Sequence, residues 1–171
     1  MEIQITQDLV QKKSITPNDA GCLQYIEDFL TQRGFINETL TFGRVKNLWS
    51  VKRNNGPLLV FLGHVDVVPT GPENEWEHDP FSGYDDGTFI NGRGTGDMKG
   101  GIACFMSALS RIDVDSLNYS IGFLITADEE GPSKDGTVKV VEELLQRDEK
   151  IDFCLIGEPS TLETVGDNIR I

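Results

Sequence analysis

Three short, mostly apolar runs divide the chain, and each is followed directly by polar residues. The runs cover residues 58–62, 119–126 and 153–156. Continuous apolar runs of this length are typical of strands that are covered on both faces of a sheet. Helical patterns separate the runs, and parallel neighbouring strands need crossovers of that length. The sequence therefore predicts an α/β fold with a mainly parallel mixed sheet and helices on both faces.

Periodicity and turn residues predict the remaining elements. The expected helices cover residues 2–12, 17–33, 98–109 and a stretch around 138–145. The second of these begins at Pro17, behind Thr16, and Gly34 ends it. Val138, Val141, Leu144 and Leu145 mark the last helix. Strands are expected over 36–43 and 45–53, a short hairpin near 85–87, and a final strand over 163–171.

Composition restricts the classes of function. The 171 residues, a length that suits one domain, include 15 Lys+Arg and 28 Asp+Glu, giving a net charge of −13. Such a surface repels phosphate groups, so nucleic acid and membrane surfaces are poor partners, whereas a cation suits it. No run approaches the ~18 apolar residues of a membrane span. The first residues lack the basic-then-apolar order of a signal peptide, which predicts a cytosolic protein.

The polar residues after the three runs predict a metal site. His64 and Asp66 follow the first run, Glu129 and Glu130 the second, and Glu158 the third. The carboxyl ends of parallel strands lie at one edge of a sheet, where ligands bind. Carboxylates gathered there need a positive charge, and imidazole with carboxylate suits zinc or a related first-row ion. A further acidic residue, Asp97, precedes the predicted helix at 98–109 and joins this group.

Each cluster also has a structural interpretation. An isolated His-x-Asp is more often a core histidine beside a surface aspartate than a ligand pair. Glu129 and Glu130 alone resemble a solvated acidic turn, and Glu158 between glycine and proline resembles a turn residue. The metal hypothesis therefore depends on all the clusters occurring together at strand or helix ends.

Other sites are excluded or disfavoured. Residues 92–96 read G-x-G-x-G, but a dinucleotide loop needs glycine at position 97 and no phosphate-loop lysine pair follows. His78 lies in a loop and is expected to be exposed or structural. Ser120 and Ser133 have no histidine at a suitable spacing, which disfavours a serine nucleophile. The three cysteines lack metal or disulfide spacing and are expected to be packing residues.

The motifs together resemble the co-catalytic zinc exopeptidases and amino-acid deacylases. They are residues 63–69 (GHVDVVP), 76–81 (WEHDPF), 92–100 (GRGTGDMKG), 128–131 (DEEG) and 157–160 (GEPS). They occur in the family's order and cover essentially the whole chain. The GRG segment, and GEPS followed by residues 165–167 (VGD), favour a member that removes a succinyl group over one that removes an acetyl group.

The resemblance assigns roles residue by residue. It implies a pair of zinc ions, with Co²⁺ as a possible substitute. His64 and Glu158 would hold one ion, Asp97 would bridge both, and Glu130 would bind the other. Glu129 would be the general base and Asp66 would orient His64. The family also has a cis peptide bond after its bridging aspartate, here Asp97-Met98.

The resemblance further implies a small-molecule N-acyl amino acid as substrate and a homodimeric complete enzyme. The family's second zinc takes a histidine from a later catalytic segment, and a separate domain supplies dimer contacts. Both are expected beyond Ile171, which makes residues 1–171 the first segment of the catalytic domain, with weak or no activity alone. The alternatives are a relative that acts on acetylornithine or another acyl-amino acid or dipeptide, and a non-catalytic metal-binding module.

Overall fold

The computed structural model describes residues 1–159. The predicted strand over 163–171, the segment 165–167 and Ser160 lie outside the described residues. The helices are α1 (Glu2–Val10), α2 (Cys22–Thr31), α3 (Gly100–Leu109) and α4 (Thr137–Gln146). The strands are β1 (Ile36–Phe42), β2 (Val45–Lys52), β3 (Leu58–His64), β4 (Tyr84–Asp85), β5 (Ile90–Asn91), β6 (Ser120–Thr126) and β7 (Phe153–Ile156). Short 3₁₀ turns occupy Glu73–Glu75 and Val114–Ser116.

Five of the strands form one mixed sheet in the order β1-β2-β6-β3-β7. β3 runs parallel to both of its neighbours, β6 and β7, whereas β1 and β2 form an antiparallel hairpin whose second strand is antiparallel to β6. The three predicted apolar runs therefore lie side by side in the parallel part of the sheet. β4 and β5 form the short separate hairpin that the turn residues predict.

Helices cover both faces of the sheet. Neighbouring residues of a strand point to opposite faces, and the adjacent residues Val60 and Phe61 of β3 belong to different core clusters. Phe61 packs with residues of α1, α2 and α3, whereas Val60 packs with Val140 and Leu144 of α4. The predicted α/β class and helix placement are confirmed.

The predicted start of the second helix was wrong. Thr16 and Pro17, joined by a cis bond, lie in a turn region, and α2 begins only at Cys22. The Asp19 carboxylate accepts a hydrogen bond from the Gly21 N–H at 2.9 Å, and Gly21 has a left-handed φ of 83°. Polar residues that signal a helix start at the level of sequence here stabilise the turn before it.

The helix marked by Val138, Val141, Leu144 and Leu145 is present as α4, which buries Val140 and Leu144 and leaves Val138 and Leu145 exposed. The buried pair is four residues apart and lies on one side of the helix, so the other valines and leucines point away.

One further expectation was wrong, that the three cysteines are packing residues. Among the cysteines only Cys22 is buried; Cys104 and Cys154 are exposed and do not pack in the core. In the described part of the chain, no helix combines the length and apolarity that crossing a membrane requires.

Candidate metal centre

The parallel part of the sheet brings the predicted ligands to one edge. His64, the last residue of β3, is paired with Thr126 at the end of β6, and Leu62 is paired with Ile156 at the end of β7. The residues that follow these three ends are therefore neighbours in space. This is the arrangement that a parallel sheet imposes on side chains after its carboxyl ends.

Asp97 reaches the same edge from a turn before α3. Residues Thr95–Lys99 form a wide turn in which Asp97 and Met98 leave helical geometry, and the bond between them is cis, as the family resemblance implies. The Lys99 N–H donates to the Gly94 carbonyl at 2.9 Å and closes the turn. A Cβ atom on Gly94 would lie 2.4 Å from Val67, so only glycine lets this turn approach the segment after β3.

His64 is the centre of the cluster. Its side chain is 1% exposed, and its Nδ1 lies 2.9 Å from the backbone oxygen of Asp66. Its Nε2 lies 3.1 Å from a carboxylate oxygen of Asp97 and 3.1 Å from one of Glu158. Because the Asp66 carbonyl accepts a hydrogen bond from the Nδ1–H group, the lone pair of neutral imidazole is on Nε2 and faces the carboxylates.

Asp66 is fully buried and interacts mainly with the backbone of the turn after β6. Its carboxylate accepts hydrogen bonds from the N–H groups of Glu129 at 3.2 Å and Glu130 at 3.1 Å. Its nearest side-chain oxygen is 3.6 Å from Nδ1 of His64. Asp66 therefore contacts His64 most closely through its carbonyl group, and its carboxylate fixes the turn that carries both glutamates.

The two glutamates belong to different groups of ligand atoms around His64. A carboxylate oxygen of Glu129 lies 3.8 Å from Nε2 of His64. Glu130 offers an oxygen within 4.8 Å of ligand atoms of His64 and Asp97, and Glu129 does the same with His64 and Glu158. Every residue that the sequence predicts for the site therefore lies at this edge, and their individual roles stay predictions.

The electrostatics of the cluster call for a cation. Burial, together with the charge of Asp97, raises the pKa of Glu158 to about 7, against the opposing effect of His64. Burial and the Asp97 carboxylate also raise the pKa of Glu130. Burial alone would lower the pKa of His64, but contacts with Asp66 and the charge of Glu158 outweigh it and raise this pKa to about 9. The carboxylates hold a proton on the imidazole where a metal ion would replace it.

The donor set fits a divalent transition metal. The ligand atoms of His64, Asp97 and Glu130 lie within 4.8 Å of one another, and so do those of His64, Glu129 and Glu158. Nitrogen with oxygen donors is the combination that zinc and related ions accept. The hydrogen bond at Nδ1 fixes the ring orientation that ligation through Nε2 needs.

The sequence interpretation missed Lys99. Its side chain is 0% exposed, and Nζ donates to the backbone oxygens of Leu9 at 2.9 Å and Lys12 at 3.0 Å. These carbonyls lie at the end of α1 and just after it, and each also accepts a backbone N–H, from Lys12 and from Ser14 respectively. Lys99 thus fixes the Asp97 turn to α1 through a buried ammonium group, whose pKa burial lowers.

Asp128 was also overlooked. It is buried, and its carboxylate accepts hydrogen bonds from the N–H groups of Ser133, Lys134 and Asp135. It therefore organises the loop that follows the two glutamates. The sequence signal that could have identified Asp128 is its place at the start of the acidic run over residues 128–130.

The groups that the sequence disfavours are structural. The half-buried ring of His78 packs against Tyr84 with ring centroids 3.8 Å apart. Ser120 exchanges hydrogen bonds with the backbone of Asn54. Within the part of the chain that the structure describes, neither residue belongs to a group that could hold a metal.

Comparison with known proteins decides the family. The model of peptidase family M20/M25/M40 matches residues 60–170. The chain belongs to this family. The match confirms the resemblance that the sequence motifs indicate.

Two curated relatives are both named succinyl-diaminopimelate desuccinylase. The protein from Marinobacter nauticus is 51% identical over 170 residues, and that from Hydrogenovibrio crunogenus 52% identical over 171 residues. Each alignment covers 98% of this chain and 45% of the relative. The chain thus spans somewhat less than half the length of the curated relatives it matches.

Solved structures share the fold at low identity. Human carnosine dipeptidase 1 superposes with a TM-score of 0.82 at 20% identity, covering 94% of this chain and 38% of that one. The metallo-carboxypeptidase Sso-CP2 from Sulfolobus solfataricus gives 0.81 at 22% identity, covering 93% and 37%. These likenesses confirm the α/β architecture.

Proposed function

We propose that residues 1–171 form the first segment of the catalytic domain of a metal-dependent amide hydrolase. The reaction is hydrolysis of N-succinyl-LL-2,6-diaminopimelate to succinate and LL-2,6-diaminopimelate, a step of lysine biosynthesis. The observation that carries the proposal is the position of the His64 Nε2 atom, 3.1 Å from carboxylate oxygens of both Asp97 and Glu158. The names of the curated relatives support the choice of substrate.

The proposed cofactor is a pair of zinc ions, for which Co²⁺ can substitute. His64, Asp97 and Glu158 hold the first ion, and Asp97 and Glu130 the second. When bound, such ions supply Lewis acidity, which polarises an amide carbonyl and makes water a better nucleophile. The only other histidine of the sequence, His78, packs against Tyr84, so we expect this chain to hold one ion well and the second weakly.

Glu129 is the proposed general base. Its carboxylate is 45% exposed and 3.8 Å from Nε2 of His64, so it borders the site and remains open to water and substrate. As a water oxygen attacks the amide carbonyl carbon, Glu129 takes the water proton. It then delivers the proton to the leaving nitrogen as the carbon–nitrogen bond breaks.

Asp66 is proposed as the residue that positions this base. Two backbone N–H groups of the glutamate turn donate to its buried carboxylate, and its carbonyl fixes the imidazole of His64. One residue thereby sets both the ring that binds metal and the turn that carries the base. The cytoplasmic location, the homodimer, and the second domain with its later catalytic segment stay predictions.

Anomalous diffraction from crystals grown with Zn²⁺ or Co²⁺ tests the metal site. We expect one strong peak in contact with His64, Asp97 and Glu158, and a weaker second peak near Glu130. Two fully occupied sites would contradict the expected asymmetry. No peak near His64 would overturn the metal site itself.

Activity is tested in a chimera in which residues 1–171 replace the matching segment of the Marinobacter nauticus relative. Parallel assays use N-succinyl-LL-diaminopimelate and N-acetylornithine. Preference for the succinyl substrate supports the proposal, and preference for the acetyl substrate favours the related deacetylase. A folded, metal-loaded chimera that hydrolyses neither would indicate a non-catalytic metal-binding module.

A further inference from the structure

The side chain of Met98 fills the space between the two strand ends that carry His64 and Glu158. Met98 is 0% exposed. A Cβ atom added to Gly63 would lie 2.8 Å from the Met98 methyl carbon, and one added to Gly157 would also lie 2.8 Å from it. Each glycine immediately precedes a proposed ligand, so the thioether contacts the backbone just before both of them.

The fit at this place is tight, and a larger residue at 63 or 157 would force the end of the Met98 side chain or the Phe61 ring to move. Cβ atoms essentially never come within 3.0 Å of another heavy atom. On Gly63 the added atom would also lie 3.3 Å from the Met98 sulfur. The long side chain of Met98 therefore occupies space that is free because residues 63 and 157 are glycines.

Met98 also contacts the histidine segment through a polar interaction. The backbone N–H of His64 points at the Met98 sulfur at 3.3 Å. This N–H is at the end of β3, and a thioether is a weak acceptor that completes its pairing. The contact fixes the backbone of His64 relative to the residue that follows Asp97.

The start of α3 closes the arrangement on the other side. A Cβ atom on Gly101 would lie 2.9 Å from the Gly157 carbonyl oxygen, so α3 touches the end of β7 directly. Asp97 and Met98 are thus held between β3 and β7 by contacts on both flanks. Nε2 of His64 lies 3.1 Å from a carboxylate oxygen of Asp97 and 3.1 Å from one of Glu158, the residues next to Met98 and Gly157.

We propose that Met98 is a positioning residue of the metal site. Its side chain acts as a spacer that sets how far apart His64, Asp97 and Glu158 lie. The inference rests on the proposed metal site, because its effect on function acts through metal affinity. It does not require Met98 to touch metal or substrate.

The test compares Met98→Ala with Met106→Ala in the 171-residue chain. Met106 is also 0% exposed and lies in α3, six residues after Gly100, or about 9 Å along the helix at 1.5 Å per residue. Both changes remove a buried methionine side chain, so both lower thermal stability. Co²⁺ affinity, measured by calorimetry and by the visible spectrum, separates the two variants.

We expect Met98→Ala to weaken Co²⁺ binding by about 10-fold to 100-fold, the range typical of residues that support metal ligands. Met106→Ala is expected to change it less than about twofold, since it is remote from the ligands. Equal affinity in Met98→Ala and the wild type would overturn the proposal. An equal loss in Met106→Ala would reduce the effect to general destabilisation.

A double-mutant cycle measures the contact between Met98 and Gly63 without the Met98→Ala variant, which could fold poorly. Gly63→Ala places a methyl group against Met98 and is expected to weaken Co²⁺ binding at least about 10-fold. In a Met98→Leu background, which removes the clashing methyl carbon, the same change should cost markedly less. Additive losses in the two backgrounds would show that Met98 and Gly63 do not act together.

Crystal structures of the metal-free wild type and of metal-free Met98→Ala test the spacer role independently of metal binding. The distances from Nε2 of His64 to Asp97 and Glu158 should change from 3.1 Å in the variant. Unchanged distances would overturn the spacer role even if the wild type binds Co²⁺. A wild type that binds no Co²⁺, with distances that do change in the variant, would overturn the metal site and leave the spacer role standing.

Discussion

The amino and carboxyl ends of the parallel strands both carry acidic and hydroxyl side chains, which have different partners at the two ends. At the amino end, the Asp152 carboxylate accepts a hydrogen bond from the Leu58 N–H at 2.9 Å, and the Ser120 hydroxyl accepts one from the Asn54 N–H. At the carboxyl end, the carboxylates of Asp97 and Glu158 face the imidazole of His64.

The pKa directions express the same contrast. Hydrogen bonds from Lys150 and from the backbone of Leu58 lower the pKa of Asp152. Burial and neighbouring Asp97 raise the pKa of Glu158 to about 7. A carboxylate that accepts hydrogen bonds from protein donors stabilises the fold. A carboxylate close to other carboxylates is instead stabilised by binding a cation.

The largest expected effect concerns the proposed base at the carboxyl end. Glu129→Gln keeps the shape of the side chain but cannot accept a proton. We expect kcat of the chimera on the succinyl substrate to fall about 10²-fold to 10⁴-fold. Co²⁺ affinity serves as the control and should stay nearly unchanged. A kcat close to that of the wild type would exclude Glu129 as the base.

Replacing the central proposed ligand, His64, should affect metal binding far more than a matched change at the amino ends of the strands. His64→Gln is expected to weaken Co²⁺ binding more than about 100-fold, beyond the effect typical of supporting residues. The matched change at the amino end is Asp152→Asn, which should leave affinity unchanged. Calorimetric titration of both variants measures the difference, and comparable losses would mean that the carboxyl end is not the metal site.

The pH dependence of stability should reverse when metal is bound. Without metal, His64 has a pKa raised from 6.5 to about 9, so its stabilising contribution is complete below pH 6.5 and is lost as pH rises through 9. Glu158, raised from 4.5 to about 7, acts in the same direction between those values. Urea unfolding with chelator should show a loss of roughly 2–3 kcal/mol from pH 6.5 to 9.

Saturating Co²⁺ supplies the comparison for that experiment, because metal replaces protons and binds more tightly as pH rises. The His64→Gln variant should lose most of the metal-free slope. A slope that persists unchanged in this variant would assign it to groups outside the cluster.

The smallest expected effect tests the buried lysine, which lies at the carboxyl end but binds backbone groups. Lys99→Met removes donors from the carbonyls of Leu9 and Lys12 and should lower the free energy of unfolding by about 1–3 kcal/mol. Lys139→Met, on the exposed face of α4, is the control and should have no measurable effect. Chemical unfolding of both variants measures this, and equal stability would show that the ammonium group contributes nothing net.

Much of the fold could be predicted because its signals are local. The apolar runs of β3, β6 and β7 and the turn residues of the hairpins mark their own boundaries. The start of α2 was misjudged because Pro17 and Asp19 suit a turn as well as a helix start. The buried face of α4 depends on how the helix docks, which periodicity alone does not fix.

The site was predictable as a group of residues and less so in its details. Strand order places His64, Glu129 and Glu158 together once the sheet is parallel. The contacts of Asp66 with the glutamate turn and of Lys99 with α1 join residues about 60 to 90 positions apart. Nothing in the neighbouring sequence signals such partners.

One proposed ligand follows the outermost strand of the described sheet. Among residues 1–159, β7 is hydrogen-bonded to β3 alone, and Phe153 and Ile156 on it are more than half exposed. A cation bound by both Glu158 and His64 would link the end of β7 to the end of β3. Amide-hydrogen exchange along β7 should then slow when metal is added, so that ion binding reports directly on fraying at the border of the sheet.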